Sequence, residues 1–290
     1  MNGVLVIDKP AGMTSHDVVS RVRRILNERS VGHLGTLDPM ATGVLPLVLG
    51  KLTRLAQFYA ASEKAYEGEI RFGFSTDTYD ADGEADLPVS EARPTLEEVR
   101  GVAGRFCGVI QQTPPPYSAK KIGGVPAYKL ARKKRAVKLA PVEVEIKEFE
   151  ILEVLGDRAR FRARVASGTY LRCVAHEMGQ LLGMGAHLAQ LRRTAVAEFD
   201  LQAARTLAQV EAAVRNSALD EILVHPRRLL PHLPGVTADE ESAAKIRAGR
   251  AVNLPDMSNA PRIKVFYGQQ ELIAIATRVA GTLFHPKVVF

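Results

Sequence analysis

The clearest alternation in the chain lies at residues 158–165. Arg158, Arg160, Arg162 and Arg164 interleave there with Ala159, Phe161, Ala163 and Val165. A period of two is that of an extended strand, so this one should be cationic on one face and apolar on the other. The preceding "VEVEIKEFEILEV" reads as a neighbouring strand. "AYEGEIRFGFSTDT" puts Ile70, Phe72 and Phe74 on one face and predicts a half-buried strand. "GVLVIDKP" reads as a short buried strand ending at Pro10.

Helical spacing appears in three places. Thr14 offers an N-cap, with Asp17 three residues on, before a stripe of Val18, Val22, Ile25 and Leu26. Thr95 and Glu98 form a capping-box pattern ahead of Leu96, Val99, Ala103 and Phe106. "LRCVAHEMGQLLG" predicts a helix closed by Gly183. Strands and helices mix without strict βαβ alternation, which favours the α+β class. Three prolines in the ten residues of "HPRRLLPHLP" suggest a linker or domain entry. Beyond it come a helix over 238–248, stopped by Gly249, and strands such as "IKVFYG" and "ELIAIATRV". The expected organisation is a large domain over 1–228 and a small, mostly-β module over 229–290.

Composition narrows the class. The 290 residues are 46% hydrophobic and 24% charged, which excludes a disordered chain. A formal charge of +7 favours a polyanionic partner. Cys107 and Cys173 are far apart and form no CxxC, so a reducing compartment is expected and a disulfide scaffold is not. The N-terminus lacks the basic-then-apolar pattern of a secretory signal, and the apolar run Val44–Leu49 holds Pro46 and is too short to span a bilayer. The expected location is the cytoplasm.

Several motifs imitate chemistry and fail on spacing. "GVLPLVLGKLT" separates Gly43 and Gly50 by six residues where a phosphate loop needs four, and Leu52 stands where Ser or Thr would bind magnesium. "HEMGQ" has Gln180 in place of a zinc helix's second histidine. "GMGAHL" follows a helix and lacks a dinucleotide loop's third glycine. The seven histidines and two cysteines form no ligand set, so no metal is expected.

Two features remain. Asp38 is the only acid in residues 31–51, "VGHLGTLDPMATGVLPLVLGK". Asp before Pro commonly opens a turn. Alternatively, a carboxylate in such surroundings is a reactive group, and burying it requires a cationic partner. The second feature is the basic run Lys129, Arg132, Lys133, Lys134, Arg135 and Lys138, which follows "TPPPYSAKKIGGVPAY". Most charge runs are solvated faces. Cations interleaved with aromatics can also grip a phosphate backbone and stack on bases, which makes RNA the leading partner.

On these residues the chain resembles the TruB family of pseudouridine synthases. "GHLGTLDPMATGVLP" matches the motif that carries the family's catalytic aspartate. "GVLVIDKPAGMTSHDVV", "KAYEGEIRFGFSTDTYDADGE", "PPPYSAKKIGGVPAYKLAR" and "SGTYLRCVAHEMGQLLGMGAHLAQLRR" match in order, over about residues 3–200. Leu34 stands where the family pattern has threonine. The resemblance implies a mixed, largely antiparallel central sheet flanked by helices, with a PUA-type RNA-binding module at the C-terminus. It implies Asp38 as nucleophile, Arg172 as its cationic partner, and Tyr66 stacked on the target base with a role in proton handling. Tyr170 and Leu191 would line the uridine pocket, and His33 would fill the gap left by flipped nucleotides. Lys9 and Pro10 would support the catalytic loop.

The implied reaction is isomerisation of uridine 55 in the T-loop of tRNA by a monomer needing no protein partner, cofactor or metal. The base must be flipped out to react, and residues 117–138 would grip the stem-loop. Two competing readings exist. One is a tRNA chaperone without chemistry, which would not need the set Asp38, Tyr66 and Arg172. The other is a relative working inside a guide-RNA particle. A start directly at the first strand and the long "PPPYSAKK…ARKKR" segment favour the stand-alone type.

Overall fold

The computed structural model describes residues 1–86, 90–91, 93–118, 120–127, 130 and 139–290. Its strands in chain order begin with β1 (Gly3–Lys9), β2 (Val31–His33), β3 (Thr42–Leu49), β4 (Lys64–Phe72) and β5 (Gly108–Gln112). A small hairpin, β6 (Lys121–Ile122) and β7 (Val125–Pro126), precedes β8 (Val142–Leu155), β9 (Arg158–Val165), β10 (Ala186–Val196) and β11 (Phe199–Asp200). The large sheet runs β1-β3-β10-β4-β9-β8-β5, with β2 added to β3 and β11 to β10. Its pairs are antiparallel except β3 with β10, so the mixed, largely antiparallel sheet is as expected.

Both faces of β1 and β3 are covered. Leu5, Ile7, Leu45 and Leu47 join a core with Val18, Val22, Val99, Val174 and Met178 from the helices Ser15–Leu26, Leu96–Ala103 and Leu171–Leu181. Val4, Val6, Val44 and Val48 point the other way, into a second core. A strand buried on both faces reads as an unbroken apolar run, as "GVLVI" does. Thr14 with Asp17 and Thr95 with Glu98 form the expected capping boxes.

The strands without a legible signal include β3 and β10. In β3, Pro46 interrupts the apolar run. It is tolerated because the β10 pairing reaches only Thr42 and Gly43, while the Pro46 carbonyl accepts from Leu34 N at 2.9 Å. In β10, register shifts between Leu188 and Gln190 and between Arg193 and Ala195 break the period of two.

The arginine face of β9 is not a free cationic surface. Its β8 neighbours place Glu148 opposite Arg164, Glu150 opposite Arg162 and Glu153 opposite Arg160. Ion pairs of 2.6, 2.5 and 2.7 Å follow, and Arg158 pairs with Glu69 of β4. The sequence expectation of a cationic face is therefore corrected: a cross-strand acid neutralises each of these arginines.

The C-terminal sheet orders β12 (Gly235–Ala238), β14 (Arg262–Tyr267), β15 (Glu271–Ala280), β16 (Leu283–Val289) and β13 (Val252–Asn253). Its helix covers Glu240–Arg247, capped by Asp239, because Ala238 belongs to β12; the two residues at its predicted start are strand and cap. Phe266, Leu272, Ile275 and Phe290 enter the second core together with Leu229 and Leu230. The proline-rich connection is thus anchored by the buried Leu229 and Leu230, while Pro231 and His232 are exposed. Leu230 N donates to Glu198 Oε1 at 2.9 Å, and Lys264 Nζ donates to Leu229 O at 2.7 Å.

Candidate active site

The loop between β2 and β3 is fixed from three sides. Leu37 N donates to Ser15 Oγ at 2.8 Å, and that hydroxyl donates back to Leu37 O at 3.1 Å. The fully buried Lys9 donates to Pro10 O, Met13 O and Pro39 O at 2.8, 2.6 and 3.1 Å. Burial pushes the Lys9 ammonium down to about 8 against the opposing pull of Asp38. Ala41 N donates to Asp38 O at 3.1 Å, so Asp38-Pro39 does open a turn. The turn and the reactive-carboxylate readings are compatible: the turn is what presents the side chain.

Arg172 occupies the first turn of the helix Leu171–Leu181 and is 4% exposed. Its Nε lies 2.9 Å from Asp38 Oδ2, and Nη2 donates to Asp38 Oδ1 at 3.2 Å. The guanidinium thus meets the carboxylate at two points, a hydrogen bond from Nη2 and a close ion contact at Nε whose N–H is not aligned on Oδ2. The far side of the guanidinium is also held. Nη1 donates to Thr78 O at 3.0 Å and lies 3.2 Å from Asp80 Oδ2, while Nη2 donates to Tyr117 O at 3.1 Å. Asp80 is itself buried, and its Oδ1 accepts from Thr78 Oγ1 at 2.6 Å and Asp82 N at 3.1 Å. One guanidinium therefore serves two carboxylates.

The electrostatics of Asp38 follow from this sharing. Burial in the cleft pushes its carboxyl above the usual carboxylate range, Arg172 pulls it back, and Asp80 and Asp82 push it up again. The Asp38 side chain keeps 33% of its surface exposed, so the carboxylate is accessible from the cleft, and raised basicity makes a carboxylate a better nucleophile.

Of the other predicted residues, Tyr66 and Tyr170 lie within electrostatic reach of Asp38, while Leu191 and His33 have no described contact with the pair. Tyr66 of β4 is the register partner of Arg193 in β10, and burial raises its phenol. Tyr170 lies two residues before Arg172. Its amide donates to Gln112 Oε1 at 2.8 Å, and its carbonyl accepts from Gln112 Nε2 at 3.1 Å. Leu191 is buried and lines a cavity of about 460 Å³ with Met40, Thr42, Gly68 and Arg192. His33 is half-buried, and its Nδ1 accepts from Gly35 N at 3.3 Å. Pro10 is exposed, and its part in the site is the carbonyl held by Lys9. Lys129, Arg132, Lys133, Lys134 and Arg135 lie outside the described residues.

Sequence reasoning missed Asp80 and Arg193. Asp80 was one acid among five in "DTYDADGEAD". Arg193 is 1% exposed within "LRRTAV", a stretch that gives no sign of burial.

Comparison with known proteins decides what this geometry belongs to. A model of the TruB family pseudouridylate synthase N-terminal domain matches residues 23–171, and one of the tRNA pseudouridylate synthase B C-terminal domain matches residues 172–230. The chain belongs to the TruB family. The tRNA pseudouridine synthase B of Solibacter usitatus is 49% identical over the whole of both chains. That of Dehalococcoides mccartyi is 38% identical over 100% of this chain and 97% of its own. In solved structures, a Cbf5-Nop10-Gar1 complex contains a chain with a TM-score of 0.72 and 26% identity, covering 99% of this chain and 84% of its own. The two TruB segments meet between Leu171 and Arg172, at the start of the active-site helix, and the five-stranded sheet follows the second. As a TruB member the chain is an isomerase that converts uridine to pseudouridine.

Proposed function

We propose that the substrate is tRNA, that the uridine isomerised is position 55 of the T-loop, and that Asp38 is the nucleophile. The activity for which the relatives are named supports tRNA. The observation that carries the catalytic assignment is the two-point contact of Arg172 with Asp38 at 2.9 and 3.2 Å. Asp38 begins breakage of the C1′–N1 bond, the freed base turns and rejoins through C5, and the proton lost from C5 is balanced by one gained at N1. Arg172 keeps the carboxylate aimed. Tyr66 stacks on the base and handles a proton, while Tyr170 and Leu191 wall the pocket. His33 fills the space the flipped nucleotide vacates. The reaction moves no electrons to or from a cofactor.

Grip on the RNA comes from the 117–138 segment, including Lys129 and Arg132–Arg135, and from a PUA-type module over 229–290 beside a catalytic domain over 1–228. The protein works as a cytoplasmic monomer. Full-length identity of 49% with a TruB-type relative, against 26% with the Cbf5 chain, favours action without a guide RNA. The test is a pseudouridine map of tRNA from cells with and without the protein. Loss of the position-55 signal alone is expected; an intact signal there would refute the substrate assignment.

A further inference from the structure

Arg193 poses a question that the reaction scheme leaves unanswered. It is 1% exposed, among the largest fully buried side chains described, yet its guanidinium donates to three backbone carbonyls and meets the Tyr66 side chain, with no carboxylate among its described hydrogen-bond acceptors. Nε donates to Val44 O at 2.8 Å, Nη1 to Thr36 O at 3.2 Å and Nη2 to Gly35 O at 3.0 Å. Burying a cation without an adjacent carboxylate is costly, and a hydrophobic side chain of similar volume would be cheaper for folding alone. The expense needs another purpose.

The acceptors identify it. Gly35 and Thr36 are the residues just before Leu37-Asp38, and Val44 lies near the start of β3, just after the turn. A single planar guanidinium therefore spans the entry and exit of the Asp38 loop, a geometry that a point-charge ammonium cannot reproduce. Its backbone is equally committed. Gly43 (φ 99°) lies against Arg193, and a Cβ there would sit 2.2 Å from the Arg193 carbonyl oxygen. Across β4 its register partner is Tyr66. We propose that Arg193 is a positioning residue for the reaction: it locks the loop that aims Asp38 and sets that loop against Tyr66, acting from behind the site without touching substrate. Burial lowers its own basicity, opposed by Tyr66 and Asp38, so its charge is partly supported by the two groups it positions. The inference rests on the reading of Asp38 as nucleophile.

The test compares Arg193→Lys, Arg193→Gln and the parent for melting, tRNA KM, kcat and backbone hydrogen exchange, with Asp38→Asn as control. Loss of loop alignment by about an ångström is worth about 100-fold in rate. Arg193→Lys is therefore expected to lower kcat about 100-fold with KM within about threefold. Exchange protection should fall at Leu34–Asp38 and not in the C-terminal sheet, and Arg193→Gln should be worse in kcat than Arg193→Lys. Near-parental kcat in Arg193→Lys overturns the proposal, as does a loss confined to KM. An Arg193→Lys chain that fails to fold also overturns it, since Arg193 would then be a support of the fold at large. Turnover retained in the Asp38→Asn control would instead refute the nucleophile assignment on which the inference rests.

Discussion

Two of the places where arginine meets carboxylate in this molecule have opposite consequences. On the outer face of β8 and β9, Arg160, Arg162 and Arg164 each face their own glutamate, and in the Arg162–Glu150 pair both side chains are at least half exposed. At the cleft, Arg172 and Asp80 are each 5% exposed in their side chains, and Asp38 and Asp80 compete for one guanidinium. An exposed pair contributes about 0.2–1 kcal/mol, because water screens it and two long side chains must be ordered. A buried cluster with more acid than base gains little stability and holds its members in fixed directions with shifted basicity. The ladder pairs each arginine with its own acid at the surface, whereas the cleft holds two carboxylates on one buried guanidinium.

The sharpest way to break that distinction is Arg172→Lys. It keeps the charge and loses the two-point geometry, so kcat should fall about 100- to 1000-fold with tRNA affinity little changed. Near-normal turnover would mean that Arg172 is just another ion-pair arginine.

Next is Asp80→Asn. It removes the competing acid, so Asp38 becomes easier to ionise and the acid limb of the kcat profile should move to lower pH. Arg172 also loses an anchor, and we expect kcat at neutral pH to fall about tenfold. An acid limb that stays in place would remove Asp80 from the account of Asp38.

A smaller effect, on binding alone, is expected from neutralising Arg132, Lys133, Lys134 and Arg135 together. For every phosphate left without its cation, the log–log salt dependence of tRNA affinity should flatten by about 0.7–0.9. An unchanged slope would make this run a solvated face. At the bottom of the scale stands the exchange Glu150→Arg with Arg162→Glu on the ladder. Turnover should be unchanged and stability should shift by less than about 0.5 kcal/mol. A loss of turnover would show that the ladder takes part in substrate handling.

The same contrast explains what the sequence could reveal. Asp38 was legible because it stands alone in an apolar run, where a charge demands a reason. The capping boxes were legible because both partners lie within one turn of chain. The ladder was half legible: the arginines showed their period, but only the β8–β9 register says which glutamates face them. Asp80 was hidden among similar acids, since only the fold brings Arg172 from 92 positions later against it. Arg192 and Arg193 are adjacent in sequence. Yet Arg192 reaches a half-exposed pair with Asp8, while Arg193 is sealed behind the loop that carries Asp38. The bulges in β10 scramble the phase that would have separated them. Pro46 hid β3 because local propensity argues against a strand whose pairing happens not to need its missing N–H.

If Asp38 is kept for chemistry at some expense to folding, Asp38→Asn must separate activity from stability. A carboxyl whose basicity is raised by folding binds its proton more tightly folded than unfolded. Its contribution therefore becomes destabilising as pH rises through that range, and it remains so at neutral pH. Asparagine removes that charge and keeps the shape. Measured on one preparation, Asp38→Asn should form no detectable pseudouridine while its Tm is equal to or above the parent's and tRNA affinity is retained or improved. Retained turnover, or activity, stability and binding all lost together, would contradict the account.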